Sequence, residues 1–173
     1  MKKIKQISLN SLLASFSLIL AHISHHLKVV PGIPMITLDF SDVPIFVSTL
    51  LFNSSCGYII LILVSIIRSL LFSSAGWPGV IMRISVTSVS IFFLSMYKKK
   101  EKFFWIFGLL ASVFSTIVKL PVNYFFWTKF FSMSHQYVIS ILFSVVAPVN
   151  FVKMLINIAI SYLLCKKIKF KRY

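Results

Sequence analysis

The stretch "LDFSDVPIFVSTLLF", Leu38 to Phe52, decides the fold of this chain. It sets two acids, Asp39 and Asp42, directly before an apolar run, although the whole chain has only three Asp and Glu residues. The apolar run from Val43 to Phe52 is about half as long as the roughly 20 residues that a membrane-spanning helix needs. It is therefore either a re-entrant segment or a short crossing helix, extended by non-helical residues that neighbouring helices shelter from lipid.

The composition is that of an integral membrane protein. Hydrophobic residues make up 58% and charged residues 12% of the 173 residues, and the mean hydropathy is +0.95; soluble domains have about 45–50% apolar and about 25% charged residues. We expect a single membrane domain over residues 1–173, with room for about five or six spans. The 18 Lys and Arg residues give a formal charge of +15, but the basic runs adjoin apolar segments. This pattern favours an anionic lipid surface over nucleic acid as the partner.

The distribution of positive charge chooses between five and six spans. Three basic runs, at 2–5, 98–102 and 166–172, should share the cytoplasmic side. They do so only if the short second segment crosses the membrane. The sequence thus predicts an all-α bundle of six transmembrane helices with a short second helix and both termini in the cytoplasm. The predicted spans are Ile7–Ile23, Val43–Phe52, Cys56–Ser73, Val80–Tyr97, Phe103–Trp127 and Pro148–Cys165.

Four cations lie inside the predicted spans, namely Arg68, Arg83, Lys119 and Lys153. This topology places all four in the outer leaflet, at the level of Asp39 and Asp42. One interpretation is that each side chain extends its charged head to the interface. The other is a polar pocket, open to the outside, in which cations and acids pair with each other and with a ligand. Two amides within spans, Asn123 and Asn150, could add recognition groups to such a pocket.

Catalytic and metal chemistry find little support in the sequence. The third acid, Glu101, lies in the lysine-rich run at 98–102, so a polytopic membrane enzyme would have only Asp39 and Asp42 for acid–base work. His22, His25 and His26 lack further donors for a metal site. Cys56 and Cys165 have no metal-binding spacing. No phosphate-binding loop is present, so the chain cannot hydrolyse ATP itself. We expect no catalytic residues, no bound metal and no cofactor.

Small residues recur along the first helix at Ala14, Ser17 and Ala21. Stripes of this kind let another helix approach closely. The neighbour could be a helix of the same chain or a helix of a partner protein, and the spacing leaves both open.

Three motifs carry a resemblance to a known family. They are "LDFSDVP" at 38–44, "LPVNYFFW" at 120–127 and "APVNFVKMLINIAISYLLCKK" at 147–167. Between about Val30 and Lys167 the chain resembles the substrate-binding S components of energy-coupling factor (ECF) vitamin transporters, and most of all the riboflavin-specific group.

The resemblance implies a six-helix subunit of the prokaryotic plasma membrane that binds a vitamin near its outer face. It also implies a transmembrane coupling protein and two ATPase subunits as partners, with Ser17 and Ala21 in the motif that docks the coupling protein. The predicted substrate-binding residues combine the ligand contacts that the resemblance implies with residues of the polar pocket. They are Thr37, Leu38, Asp39, Arg68, Asn123, Tyr124, Asn150 and Lys153.

One departure from the riboflavin pattern leaves the vitamin open. Arg68-Ser69 stands where that group commonly has Lys-Asn. A cationic pocket would also suit a carboxylate vitamin such as folate or pantothenate. A ligand-free membrane accessory protein is a further alternative, which shares the composition but not the clustered outer polar groups.

Overall fold

The computed structural model describes residues 2–26, 39–71, 76–97 and 103–170. Within these ranges the chain is all-helical and has no strand. The elements in chain order are α1 (Lys2–His26), α2 (Asp42–Leu51), α3 (Ser54–Leu71), α4 (Gly76–Tyr97), α5 (Phe104–Lys129), α6 (His135–Ile141), a π-helical turn (Leu142–Val146) and α7 (Ala147–Phe170).

In the part of the chain that the structure describes, five helical stretches are long and apolar enough to cross a membrane. The sixth, α2, has ten residues, which at about 1.5 Å per residue covers roughly half of a hydrocarbon core about 30 Å thick. The predicted short second helix is therefore confirmed. The five candidate spans are Ile4–Ser24, Ser54–Leu71, Gly76–Tyr97, Phe104–Lys129 and His135–Ile168.

The short helix α2 is the centre of the bundle. It packs against α1, α3, α4 and α7, and residues 42–50 are all buried. Its fit to α3 is close at Gly57, where an added Cβ would collide with the Thr49 side chain. A helix this short is tolerated at membrane depth because its neighbours surround it.

The last span is longer than the sequence predicted. We expected it to begin at Pro148, but a helix starts at His135 and continues through the π-helical turn into α7. Proline inside a helix lacks an N–H donor, and its ring crowds the carbonyl four residues earlier. The carbonyl four residues before Pro148 belongs to Ser144, which lies inside the wider turn at Leu142–Val146. This turn accommodates the proline. Pro148 therefore marks an irregularity within the span and not its start.

The described residues form two apolar clusters. The main core joins α2 to α3, α4, α5 and α7, and ends in a stack of Phe104 on Tyr162 with ring centroids 4.1 Å apart. A smaller cluster, built on Trp127 and Val138, holds the end of α5 against α6. The polar residues described next lie at the end of the bundle where α2 begins, α3 ends and α4 begins.

Candidate functional site

Side chains of α1 and α7 form hydrogen bonds with the backbone of the residues that precede α2. From α1, Ser17 Oγ donates to the carbonyl of Ser41 at 2.6 Å, and Ser24 Oγ accepts from the N–H of Phe40 at 3.1 Å. From α7, Asn157 Nδ2 donates to the carbonyl of Asp39 at 2.8 Å. Non-helical backbone inside a membrane must find such partners because lipid offers none. The entry to α2 is thus fixed by residues far away in the sequence.

The two aspartates lie at the centre of a buried ion-pair network. Asp39 pairs with Arg68 of α3, and its Oδ2 lies 3.9 Å from Arg83 Nη1 of α4. Asp42 accepts from Arg83 Nη2 at 3.0 Å and lies 3.4 Å from Lys153 Nζ of α7. The Asp42 side chain is only 2% exposed. We call this network, together with Ser41, the polar cluster.

Ser41 connects the two halves of the polar cluster. Its hydroxyl donates to Asp39 Oδ1 at 2.5 Å and accepts from Arg83 Nη2 at 2.7 Å. The N–H of Ser41 also donates to Asp39 Oδ1, at 3.0 Å. The acids therefore tie the start of α2 to α3, α4 and α7, which is one structural reason for two carboxylates three residues apart.

The polar cluster shows how three of the four predicted membrane-embedded cations are arranged. The side chains of Arg68, Arg83 and Lys153 are only 12 to 19% exposed. Side chains that reached the interface on their own would be solvated and unpaired. Pairing of these three cations with Asp39 and Asp42 is thus what the structure contains, and their contact with a ligand stays a prediction.

A second polar group lies between α5 and α7. Lys119 Nζ donates to Asn150 Oδ1 at 2.8 Å, and Asn150 Nδ2 donates to Thr116 Oγ1 at 3.0 Å. We call these three residues the lysine subsite. Asn150 and Lys153 are three residues apart on α7 and so lie on one helix face, which makes the lysine subsite a neighbour of the polar cluster.

The family described as "ECF transporter, substrate-specific component" matches residues 5–165. The chain belongs to this family. It is a family of transporter components and not of enzymes.

A structural neighbour agrees with this assignment at the level of the fold. The solved structure titled "Structure and mechanism of the S component of a bacterial ECF transporter" is 24% identical in sequence and matches with a TM-score of 0.80. The match covers 96% of this chain and 96% of that one. No curated protein matches this chain.

The structure places four of the eight residues predicted for the substrate site in the polar cluster and the lysine subsite. Asp39, Arg68 and Lys153 lie in the polar cluster, and Asn150 lies in the lysine subsite. Asn123 is 2% exposed, one helical turn after Lys119 on α5. Thr37 and Leu38 lie outside the described residues. Contact of any of these residues with a ligand stays a prediction.

Tyr124 has a different environment from its neighbour Asn123. Its hydroxyl forms a hydrogen bond with His135 Nδ1 at 3.0 Å, which joins the end of α5 to the start of α6. Residues adjacent on a helix point in different directions. Tyr124 is thus engaged with α6, and its predicted role at the ligand stays a prediction.

Several members of the site were missing from the predicted contact residues. Arg83, Lys119 and Asp42 belong to the polar pocket that the sequence suggests, but not to the predicted ligand contacts. Asn157 is a residue that the sequence analysis missed. It is an amide within a predicted span, as Asn123 and Asn150 are, and it lies seven residues after Asn150 on the same helix. Ser41 and Thr116 gave no signal, because serine and threonine are common in such helices.

The small-residue stripe of α1 faces the inside of the bundle. Ser17 and Ala21 have no exposed surface, and Ala14 packs partly buried against the main core. The bond from Ser17 to Ser41 explains this orientation. In this conformation the stripe serves packing within the chain, and docking of a partner through Ala14, Ser17 and Ala21 stays a prediction.

Proposed function

We propose that this chain is the vitamin-capturing subunit of an ECF importer in a prokaryotic plasma membrane. The ligand binds at the polar cluster and the lysine subsite, near the outer face. A transmembrane coupling protein and two ATPase subunits supply the energy, and the chain itself performs no catalysis. The observation that carries the proposal is a buried set of ionic and amide side chains at one end of an otherwise apolar bundle, in a chain of this family.

Unsatisfied polar atoms support a ligand at this end of the bundle. Among the described residues, Nε and Nη1 of Arg83, Oδ1 of Asn123 and Oδ1 of Asn157 are buried without a hydrogen-bond partner. A buried polar atom left unpaired costs roughly 1–3 kcal/mol. A ligand with complementary donors and acceptors would remove part of that cost on binding.

Riboflavin is the first candidate ligand. The sequence resemblance points to it, and the amides of Asn123 and Asn150 together with Lys153 could bind the polar edge of a flavin ring. A carboxylate vitamin, such as folate or pantothenate, is the second candidate. The observation in its favour is the excess of cations over carboxylates at this end of the bundle.

Purification of the tagged full-length chain from its native membrane tests the proposal. We expect the coupling protein and two ATPase subunits to co-purify, and mass spectrometry of the extracted complex to find a vitamin. The separated chain should then quench flavin fluorescence in a saturable titration if the vitamin is riboflavin. Isolation of the chain without coupling subunits would contradict the proposal and favour an accessory protein.

A further inference from the structure

Lys119 is a membrane-embedded cation that differs from the three cations of the polar cluster. It lies within the candidate span of α5, ten residues before the end of that helix. Arg68, Arg83 and Lys153 each lie within 4.0 Å of a carboxylate oxygen. Among the described residues no carboxylate lies within that distance of Lys119, and the only hydrogen bond of its ammonium group is to the neutral Asn150.

The described residues hold no carboxylate that remains to pair with Lys119. Its three acids are Asp39, Asp42 and Glu101. Asp39 and Asp42 already serve three cations. Glu101 precedes α5, and the helical rise separates Phe104 from Lys119 by roughly 22 Å. The polar end of the bundle thus holds four cationic side chains against two carboxylates.

An unpaired cation inside a membrane span is unfavourable. The lenient insertion scale gives a cost of about 2.5–3.5 kcal/mol for a lysine at the centre of a span. Such residues usually pair with an opposite charge or lie on the path of a substrate. Because no carboxylate among the described residues lies within 4.0 Å of Lys119, a ligand is a source of the missing opposite charge.

Asn123 adds a second, independent sign of a ligand at this place. It follows Lys119 by four residues, so both lie on one face of α5. Its side chain is 2% exposed, and its Oδ1 has no hydrogen-bond partner among the described residues. An ammonium group and an unsatisfied amide oxygen, one turn apart, fit a ligand that carries an anionic group and a nearby N–H or O–H donor.

We propose that the ligand of this chain carries a carboxylate that binds Lys119 Nζ beside Asn150, so that Lys119 selects anionic over neutral ligands. The inference rests on the proposed function and chooses, within it, the carboxylate vitamins over riboflavin. The ligand carboxylate completes the charge balance that the protein leaves open, while Asn123 Oδ1 accepts from the ligand's donor.

Pairs of ligands that differ only in charge test this selection. Pantothenate and panthenol differ by a carboxylate against a hydroxymethyl group, and folate can be compared with its dimethyl ester. We expect the full-length chain in nanodiscs to bind the carboxylate member of one pair at least tenfold more tightly by calorimetry. A hydrogen bond between charged groups in a buried site contributes about this much or more, up to roughly 150-fold.

Substitutions at Lys119 assign the selection to this residue. Lys119→Met keeps the length of the side chain without its charge and should reduce the tenfold preference to less than threefold, while Lys119→Arg should retain most of it. Lys129→Met, which changes an exposed lysine of the same helix, is the matched control and should bind as the wild type does. Retained discrimination in Lys119→Met would overturn the inference.

The stability of the ligand-free protein separates recognition from structure. Removal of an unpaired embedded cation should leave the apparent Tm of ligand-free Lys119→Met unchanged or higher. A lower Tm would mean that Lys119 serves the fold. Saturable binding of riboflavin with no binding of pantothenate or folate would overturn the inference and leave the proposed function standing. Absence of the coupling subunits from the native preparation would instead contradict the proposed function.

Discussion

Lys153 Nζ lies 3.4 Å from Oδ2 of Asp42, so the lysine that the sequence resemblance assigns to the ligand is paired with the first residue of α2. The same carboxylate accepts from Arg83. A ligand that binds Lys153 must therefore share this lysine with Asp42 or displace the Asp42 carboxylate from it. A residue predicted to contact the ligand thus also anchors the start of α2.

The first prediction concerns Asp42. Asp42→Asn keeps the shape of the side chain but removes the negative charge that faces Arg83 and Lys153. Removal of one partner of a buried ion pair typically costs about 3–5 kcal/mol. We expect a clear loss of thermal stability in detergent, measured by size-exclusion chromatography after heating. Asp42→Asn/Lys153→Gln should lose less than the sum of the single changes, whereas additive losses would mean that the two residues are not coupled.

The second prediction concerns the bond between α7 and the entry to α2. Asn157→Leu removes the donor to the Asp39 carbonyl, which is buried. An unpaired buried carbonyl costs roughly 1–3 kcal/mol, so the midpoint of thermal unfolding should fall. Ser144→Ala is the control, since the Ser144 hydroxyl is exposed and bonds only within its own helix. Equal midpoints for both variants would refute the role given to Asn157.

The third prediction concerns the close contact of α2 and α3. Gly57→Ala forces a methyl group onto the Thr49 side chain, and overpacking of this kind costs about 1–3 kcal/mol. Addition of Thr49→Ala should restore part of the stability. Gly108→Ala is the matched control, because there the added methyl meets only the Ile158 side chain, at 3.1 Å. If Gly108→Ala destabilises as strongly, close packing at Gly57 is not special.

The fourth prediction concerns orientation, which rests on the positive-inside rule. Ser134 is exposed between α5 and α6, at the end of the bundle assigned to the outside. Ser134→Cys should react with a membrane-impermeant maleimide in intact cells, while the buried Cys56 and Cys165 should not. Labelling that requires permeabilised cells would place this end in the cytoplasm and reverse the predicted topology.

The helices were predictable from the sequence because long apolar runs interrupted by basic loops have few other solutions. The short α2 could also be inferred, since only a crossing there puts the basic runs on one side. The predicted start of the last span, at Pro148, is wrong. A proline often marks a helix boundary, but here the π-helical turn before it lets the helix continue.

The charged residues of the candidate site were predictable from the sequence, but the residues with which they pair were not. A cation inside a span is conspicuous, and its need for an opposite charge follows from the cost of burial. Which acid pairs with which cation depends on tertiary packing, as the 41-residue separation between Asp42 and Arg83 illustrates. The inward direction of Ser17 could not be inferred either, because the small-residue spacing does not say which helix lies opposite.

The most direct test of the account is mass spectrometry of the small molecules that the purified chain retains, with the wild type compared with Asn150→Leu. Asn150 links Lys119 to Thr116, so its loss should disturb the ligand end while the rest of the bundle remains. The account predicts that the wild type carries a vitamin in near-stoichiometric amount and that the variant carries little or none. A wild-type chain that holds no vitamin when isolated with its coupling subunits, or equal occupancy in the two proteins, would contradict it.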